Sequence, residues 1–163
     1  QVAEAPLVVA AASYLLKTDS NPDGLDRAVF DGIKQGVHGD RQGYLAGLLS
    51  NVFFDAKRRA TNPVTPATID WALGIAMQAS VDATVACVDT FSLTDFRPEL
   101  ASVTVPTLLL HGTADIPVPI ALARITARGI RQSTMIEYPD VSHGLVVTER
   151  DRVTRDLQAF ITR

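Results

Sequence analysis

Val105-Pro106-Thr107-Leu108-Leu109-Leu110-His111-Gly112-Thr113-Ala114-Asp115-Ile116-Pro117-Val118-Pro119 opens as an apolar run and stops abruptly at His-Gly. An Asp follows, in a turn closed by two prolines. A run too short for a helix and bounded by turn residues reads as a buried strand, here Thr104 to Leu110. Asp115 then sits just past the strand's carboxyl end, where open α/β sheets put their ligands. Further on, Ile136-Glu137-Tyr138-Pro139-Asp140-Val141-Ser142-His143-Gly144 repeats the plan with a His. Around it the spacing predicts a helix over Ile120 to Ile130, ended near Gly129, and a strand over Ser133 to Tyr138. A closing helix over Glu149 to Ile161 carries Val153, Leu157, Phe160 and Ile161 on one face. Strand, helix, strand, helix at this spacing is βαβα, hence a parallel sheet with a right-handed crossover.

Upstream the pattern changes twice. Leu7 to Ala12 is a short apolar segment, consistent with a strand buried on both faces, with Pro6 fitting at its first position only. The same region contains Ala10-Ala11-Ala12-Ser13, a superficial likeness to a signal-peptide cleavage site. No basic segment precedes it and Glu4 stands in front, so it reads as a strand. The chain begins with Gln, and processing or truncation upstream is expected. Lys17 to Gly24 is a polar loop dense in turn formers. Leu25, Val29, Phe30, Ile33 and Val37 then recur about once per turn and predict a helix. A second helix is expected over Arg41 to Phe54. Lys57-Arg58-Arg59 reads as a solvated surface run. Thr65-Pro66 is an N-cap and first-turn pair, opening one or two helices over Ala67 to Phe91.

Composition fits one ordinary domain. The 163 residues are 47% apolar and 20% charged, values of a globular rather than a disordered chain. A net charge of −3 gives no attraction for nucleic acid or an anionic membrane surface. The single cysteine, Cys87, excludes an internal disulfide and reads as a small buried hydrophobe. A homo-oligomer in the cytoplasm is expected, with no membrane and no nucleic-acid partner.

Asp115 and His143 are separated by one helix and one strand. If their strands are neighbours, both side chains emerge on adjacent loops at one sheet edge. An acid there can accept the imidazole N–H and fix its tautomer, leaving the other nitrogen as a general base. The plainer alternatives are a turn residue bonding its own backbone, for Asp115, and a loop residue beside a helix-capping Ser142, for His143. Order and placement together favour the catalytic pair. Phe30, Phe53, Phe54 and Trp71 are candidates for an acyl pocket under the helical part, or for plain core. His38 is expected to be exposed.

Four stretches make the chain resemble the C-terminal part of an α/β-hydrolase, in the non-haem haloperoxidase, perhydrolase and arylesterase branch. They are Leu15-Leu16-Lys17-Thr18-Asp19-Ser20-Asn21-Pro22-Asp23-Gly24, Thr94-Asp95-Phe96-Arg97-Pro98-Glu99-Leu100, Val105 to Asp115, and Ser142-His143-Gly144-Leu145. The first and second resemble the entry to and return from that branch's helical cap, and the other two its acid strand and histidine loop. The resemblance implies an α/β fold of parallel strands, flanking helices and an all-helical cap insertion. Residues 1–16 then hold a core strand, residues 17–100 the cap, and residues 101–163 the βαβα unit. It also implies that Asp115 is the triad acid, His143 the triad base and His111 a structural support. The implied substrate is a small ester or lactone, or a carboxylic acid in perhydrolysis, with no metal or other cofactor.

The sequence departs from the branch in one respect. The fold's order is nucleophile, acid, histidine, with the serine on a Gly-x-Ser-x-Gly elbow, and no serine here has glycines at that spacing. Leu7 to Ala12, apolar on both faces and without edge protection, would also leave a sheet edge unpaired. The chain is therefore expected to depend on an N-terminal hydrolase half, in the same polypeptide or in a companion chain. The alternative is a catalytically incomplete or degenerate domain that assembles with another chain and has no activity alone.

Overall fold

The computed structural model describes residues 4–8, 13–58 and 60–162. Three strands, β1 (Ala5–Val8), β2 (Thr107–Gly112) and β3 (Ser133–Tyr138), form a parallel sheet in the order β1-β2-β3. All six residues of β2 are buried. Its run starts later and ends later than its apolar residues suggest. Pro106 has no N–H to give the ladder, so pairing begins at Thr107, and His111 and Gly112 continue it opposite Glu137 and Tyr138. In β1, Pro6 is the second residue rather than the first. Ala5 N–H donates to Pro106 O at 3.0 Å, so the next residue's nitrogen points away from β2 and its missing N–H breaks no bond there. Val9 to Ala12, the rest of the expected strand, lie outside the described residues.

Between β1 and β2 the described elements are all helical. Helix α1 (Arg27–His38) buries Phe30 and Val37, as its apolar stripe predicts, and leaves His38 exposed. Helix α2 (Arg41–Leu48) runs directly into a π-helical turn, Leu49–Phe53, so the expected single helix changes pitch before its end. A 3₁₀ turn, Ala56–Arg58, follows. Helices α3 (Pro66–Ala76) and α4 (Val81–Leu93) divide the apolar segment expected there. Thr65 caps α3 by accepting from Thr68 N–H at 3.2 Å, with Pro66 in the first turn. Ser80 caps α4 through Ala83 N–H at 3.0 Å. Cys87 is exposed, against expectation. Its neighbour Val88 takes the buried position, because successive helical residues point about 100° apart.

The two ends of this helical insertion are stitched together. Arg97 holds both carboxylate oxygens of Asp95, at 2.8 and 2.6 Å, and reaches across to Ser20 O at 2.6 Å. Phe96 N–H donates to Ser13 O at 2.8 Å. The buried Asn21 amide donates to Tyr14 O and Leu16 O, both at 2.9 Å. A 3₁₀ turn, Arg97–Ser102, then leads into β2.

Helix α5 (Ile120–Gly129) crosses from β2 to β3, and α6 (Leu145–Thr148) and α7 (Arg150–Ile161) close the fold. Side chains alternate along a strand, so Leu108 and Leu110 of β2 share one face. Leu108 and Leu110 pack with Tyr138, Leu145, Val153 and Phe160. A second apolar cluster joins Leu15, Phe30 and Val88 of the insertion to Val118 and Leu122 at α5. Each such leucine contributes about 1.5–3 kcal/mol by leaving water. Among the described residues no single helix is long and apolar enough to cross a membrane; α3 and α4 reach that length only as a pair bent by 96°.

Candidate active site

Asp115 follows β2 in a turn that uses one of its carboxylate oxygens. Oδ1 accepts Val118 N–H at 2.8 Å, while Oδ2 accepts His143 Nδ1–H at 2.7 Å. Asp115 thus bonds its own turn through one oxygen and the His143 ring through the other. His111 Nε2 lies 3.2 Å from the same Oδ2 and 2.8 Å from Val118 O. Facing two acceptors, that nitrogen must carry the ring proton. By the same logic His143 carries its proton on Nδ1, and its Nε2 keeps a free lone pair. Burial pushes the Asp115 carboxyl up, but the His111 and His143 hydrogen bonds, the nearby imidazole charge and the Val118 amide outweigh it. The net effect holds Asp115 below its ordinary value of 3.8.

Two glycines allow the loops to meet. A Cβ on Gly112 would run into the Val141 carbonyl, so only glycine lets the histidine loop approach the end of β2. Thr113 N–H then donates to Tyr138 O at 2.9 Å and Ala114 N–H to Val141 O at 3.1 Å. A Cβ on Gly144 would strike the Phe54 ring. Instead Gly144 N–H donates to Phe53 O at 3.1 Å, and the Phe53 ring meets His143 edge-to-face at 4.4 Å. Ser142 does not cap a helix. Its hydroxyl is buried without a hydrogen-bond partner among the described residues, and α6 begins after Gly144 with no side-chain cap.

His143 borders a cavity of about 610 Å³ between the helical insertion and the acid turn. Phe30 and Phe53 line it, together with Val29, Ile33, Leu48 and Val52. Phe91 also lines it and touches Phe30 edge-to-face at 6.2 Å, a contact hidden from sequence because α1 and α4 meet only in the fold. Phe54 is buried against Phe53 at 5.3 Å and supports the wall rather than forming it. Trp71 stands 61% exposed on α3, outside this cavity, which corrects its assignment to the pocket. Apart from His143, Tyr44 contributes the cavity's one polar side chain, and burial raises its hydroxyl above the ordinary value. Among the described residues no Lys, Arg, Asp or Glu lines the space. Among the described residues no group of three or more His, Cys, Asp and Glu side chains is gathered to hold a metal.

No family model matches the chain. A non-heme haloperoxidase of Rhodococcus erythropolis is 35% identical over 99% of the chain and 59% of that protein. A bifunctional esterase/perhydrolase of Acinetobacter calcoaceticus is 33% identical over 98% of the chain and 58% of its own length. The crystal structure of a bromoperoxidase from Bacillus anthracis superposes with a TM-score of 0.91 at 31% identity, over 98% of the chain and 58% of that structure. The chain matches the C-terminal part of an α/β-hydrolase. It spans a little over half the length of the curated relatives it resembles.

The basic run read as surface does more than meet solvent: Lys57 is exposed, and Arg58, one-third exposed, joins two carboxylates. Arg58 Nη1 binds the buried Asp55 carboxylate, and Arg58 Nε donates to Asp140 Oδ1 at 2.7 Å. The expected solvated run thus supplies a bridge from the helical insertion to the histidine loop. Arg59 lies outside the described residues. A long-range pair of this kind leaves no local periodicity, so only the unusual Lys-Arg-Arg run beside Asp55 could have hinted at it.

Proposed function

We propose that this segment supplies the acid and the base of a serine hydrolase acting on small, uncharged esters or lactones. The observation that carries the reading is the ordered pair Asp115 Oδ2 to His143 Nδ1, at 2.7 Å, beside an apolar cavity. In this reading the attacking serine comes from a segment other than this one, upstream in the same polypeptide or in a companion chain. The absence of any Gly-x-Ser-x-Gly from the sequence supports that division.

The proposed chemistry follows from the tautomer. His143 Nε2 takes the serine proton as the serine oxygen attacks the acyl carbon, and returns it to the leaving alcohol. Asp115 stays ionised and holds the imidazolium that forms in between. Water, activated by the same Nε2, then releases the acid. If hydrogen peroxide replaces water in that second step, the product is a peracid, the outcome named in the esterase/perhydrolase relative. The cavity supports a neutral, mainly apolar acyl group, since among the described residues its polar side chains are His143 and Tyr44 and none is formally charged at neutral pH.

A fluorophosphonate probe tests the reading on the protein as isolated, with its mass determined intact. Labelling is expected on a serine in a Gly-x-Ser-x-Gly segment accompanying this chain, and His143→Ala is expected to abolish it. A preparation that contains such a segment and takes up no label, or labels equally without His143, contradicts it.

A further inference from the structure

We propose that Arg58 is a positioning residue for His143, acting through Asp140; its catalytic consequence rests on the function proposed above. Arg58 is not among the residues that line the cavity. Its two carboxylate partners, Asp55 and Asp140, are the two described non-glycine residues with a left-handed backbone, at φ 42° and 58°. L-residues adopt that region only at a cost, which neighbouring contacts must offset. Asp140 has such contacts on every polar group described. Its side chain accepts from Arg58, its N–H donates to Thr113 Oγ1 at 2.9 Å, and its carbonyl accepts from the buried Asn62 amide at 3.1 Å.

His143 lies three residues further on, and the chain is gripped again just beyond it, where Gly144 N–H donates to Phe53 O. The segment from Phe53 to Asn62 therefore holds the histidine loop at both ends. Arg58 supplies the charged contact of that grip. Without its guanidinium, the Asp55 and Asp140 carboxylates that now share one cation would repel each other, and the first turn of the loop would keep only its uncharged tether, from Asn62, to the helical insertion. The Asp115 to His143 bond depends on where that loop stands, so its geometry depends on Arg58.

The test is proton NMR of the His143 Nδ1–H, assigned by its disappearance in His143→Ala. In the parent protein a hydrogen-bonded, far-downfield resonance is expected. Arg58→Ala is expected to broaden it or move it upfield, and Arg58→Lys to restore part of the shift. Asp140→Asn keeps a side chain that tolerates positive φ while removing the charge, so it carries the test if Arg58→Ala does not fold. Arg124→Ala breaks an exposed ion pair to Glu137 and controls for the loss of any surface charge pair; it is expected to leave the resonance in place. A folded Arg58→Ala or Asp140→Asn protein with the parent resonance would overturn the proposal. If the resonance responds while the fluorophosphonate labels nothing, positioning stands and the hydrolase reading fails. If labelling depends on His143 but the resonance ignores Arg58, the reverse holds.

Discussion

Asp115 meets His143 from the sheet with its side chain fully buried, whereas Asp140 meets the helical insertion through Arg58 with its side chain 61% exposed. Both are carboxylates in tight turns, and both meet a cation or a potential one. Asp115 is surrounded by donors fixed in its own βαβ unit: two imidazoles and the Val118 amide. Asp140 meets a single guanidinium brought in from 82 residues away. Low dielectric makes the first arrangement strong and intolerant of loss, whereas solvent weakens the second. The sheet side thus sets the chemistry of the imidazole, and the helical side adjusts where it stands.

Substitutions can be ranked by which side they strike. Asp115→Asn is expected to cost the most, about 3 kcal/mol, because it leaves buried donors without their charged acceptor; urea denaturation reads this directly. The same carboxylate gives a pH signature. Its folded value lies below its unfolded one, so its contribution is complete above about pH 4 and is lost as pH falls through the lowered value. Melting temperature followed from pH 5 downward should fall more steeply in the parent than in Asp115→Asn.

Gly144→Ala comes next, at about 1–3 kcal/mol, since the added Cβ must displace the buried Phe54 ring. If it costs nothing in denaturant, the loop and the helical insertion are not closely joined. Arg58→Ala is expected to cost about 1–2 kcal/mol, less than Asp115→Asn because Arg58 is one-third exposed. Equal costs for these two would erase the contrast between the buried and the half-exposed side. Trp71→Ala should change unfolding free energy by no more than about 0.5 kcal/mol, as an exposed side chain outside both loops.

The same division explains what the sequence discloses. β3, α5 and α7 are legible because their signals are local: a strand's apolar run, a helix's stripe, a glycine at the end. The approach of Asp115 to His143 is legible too, since βαβ topology puts consecutive strand ends side by side. The pocket is only half legible. Phe30 and Phe53 face His143's cavity while Trp71 does not, because an aromatic at helical spacing does not disclose which way its helix is turned. Cys87 fails for the same reason, one position away from the buried Val88. The Arg58 contact is missed outright, as its partner Asp140 lies 82 residues away and the pairing leaves no local spacing to read.

The central claim is that His143, oriented by Asp115, is the base of an ester-cleaving triad. Hydrolysis of a neutral short-chain aryl ester, by the protein together with the segment that carries the serine, tests it most directly. His143→Ala is expected to lower kcat by at least about 10⁴-fold and Asp115→Asn by a similar order, with both variants still folded. A folded His143→Ala protein that hydrolyses the ester at the parent rate would contradict it.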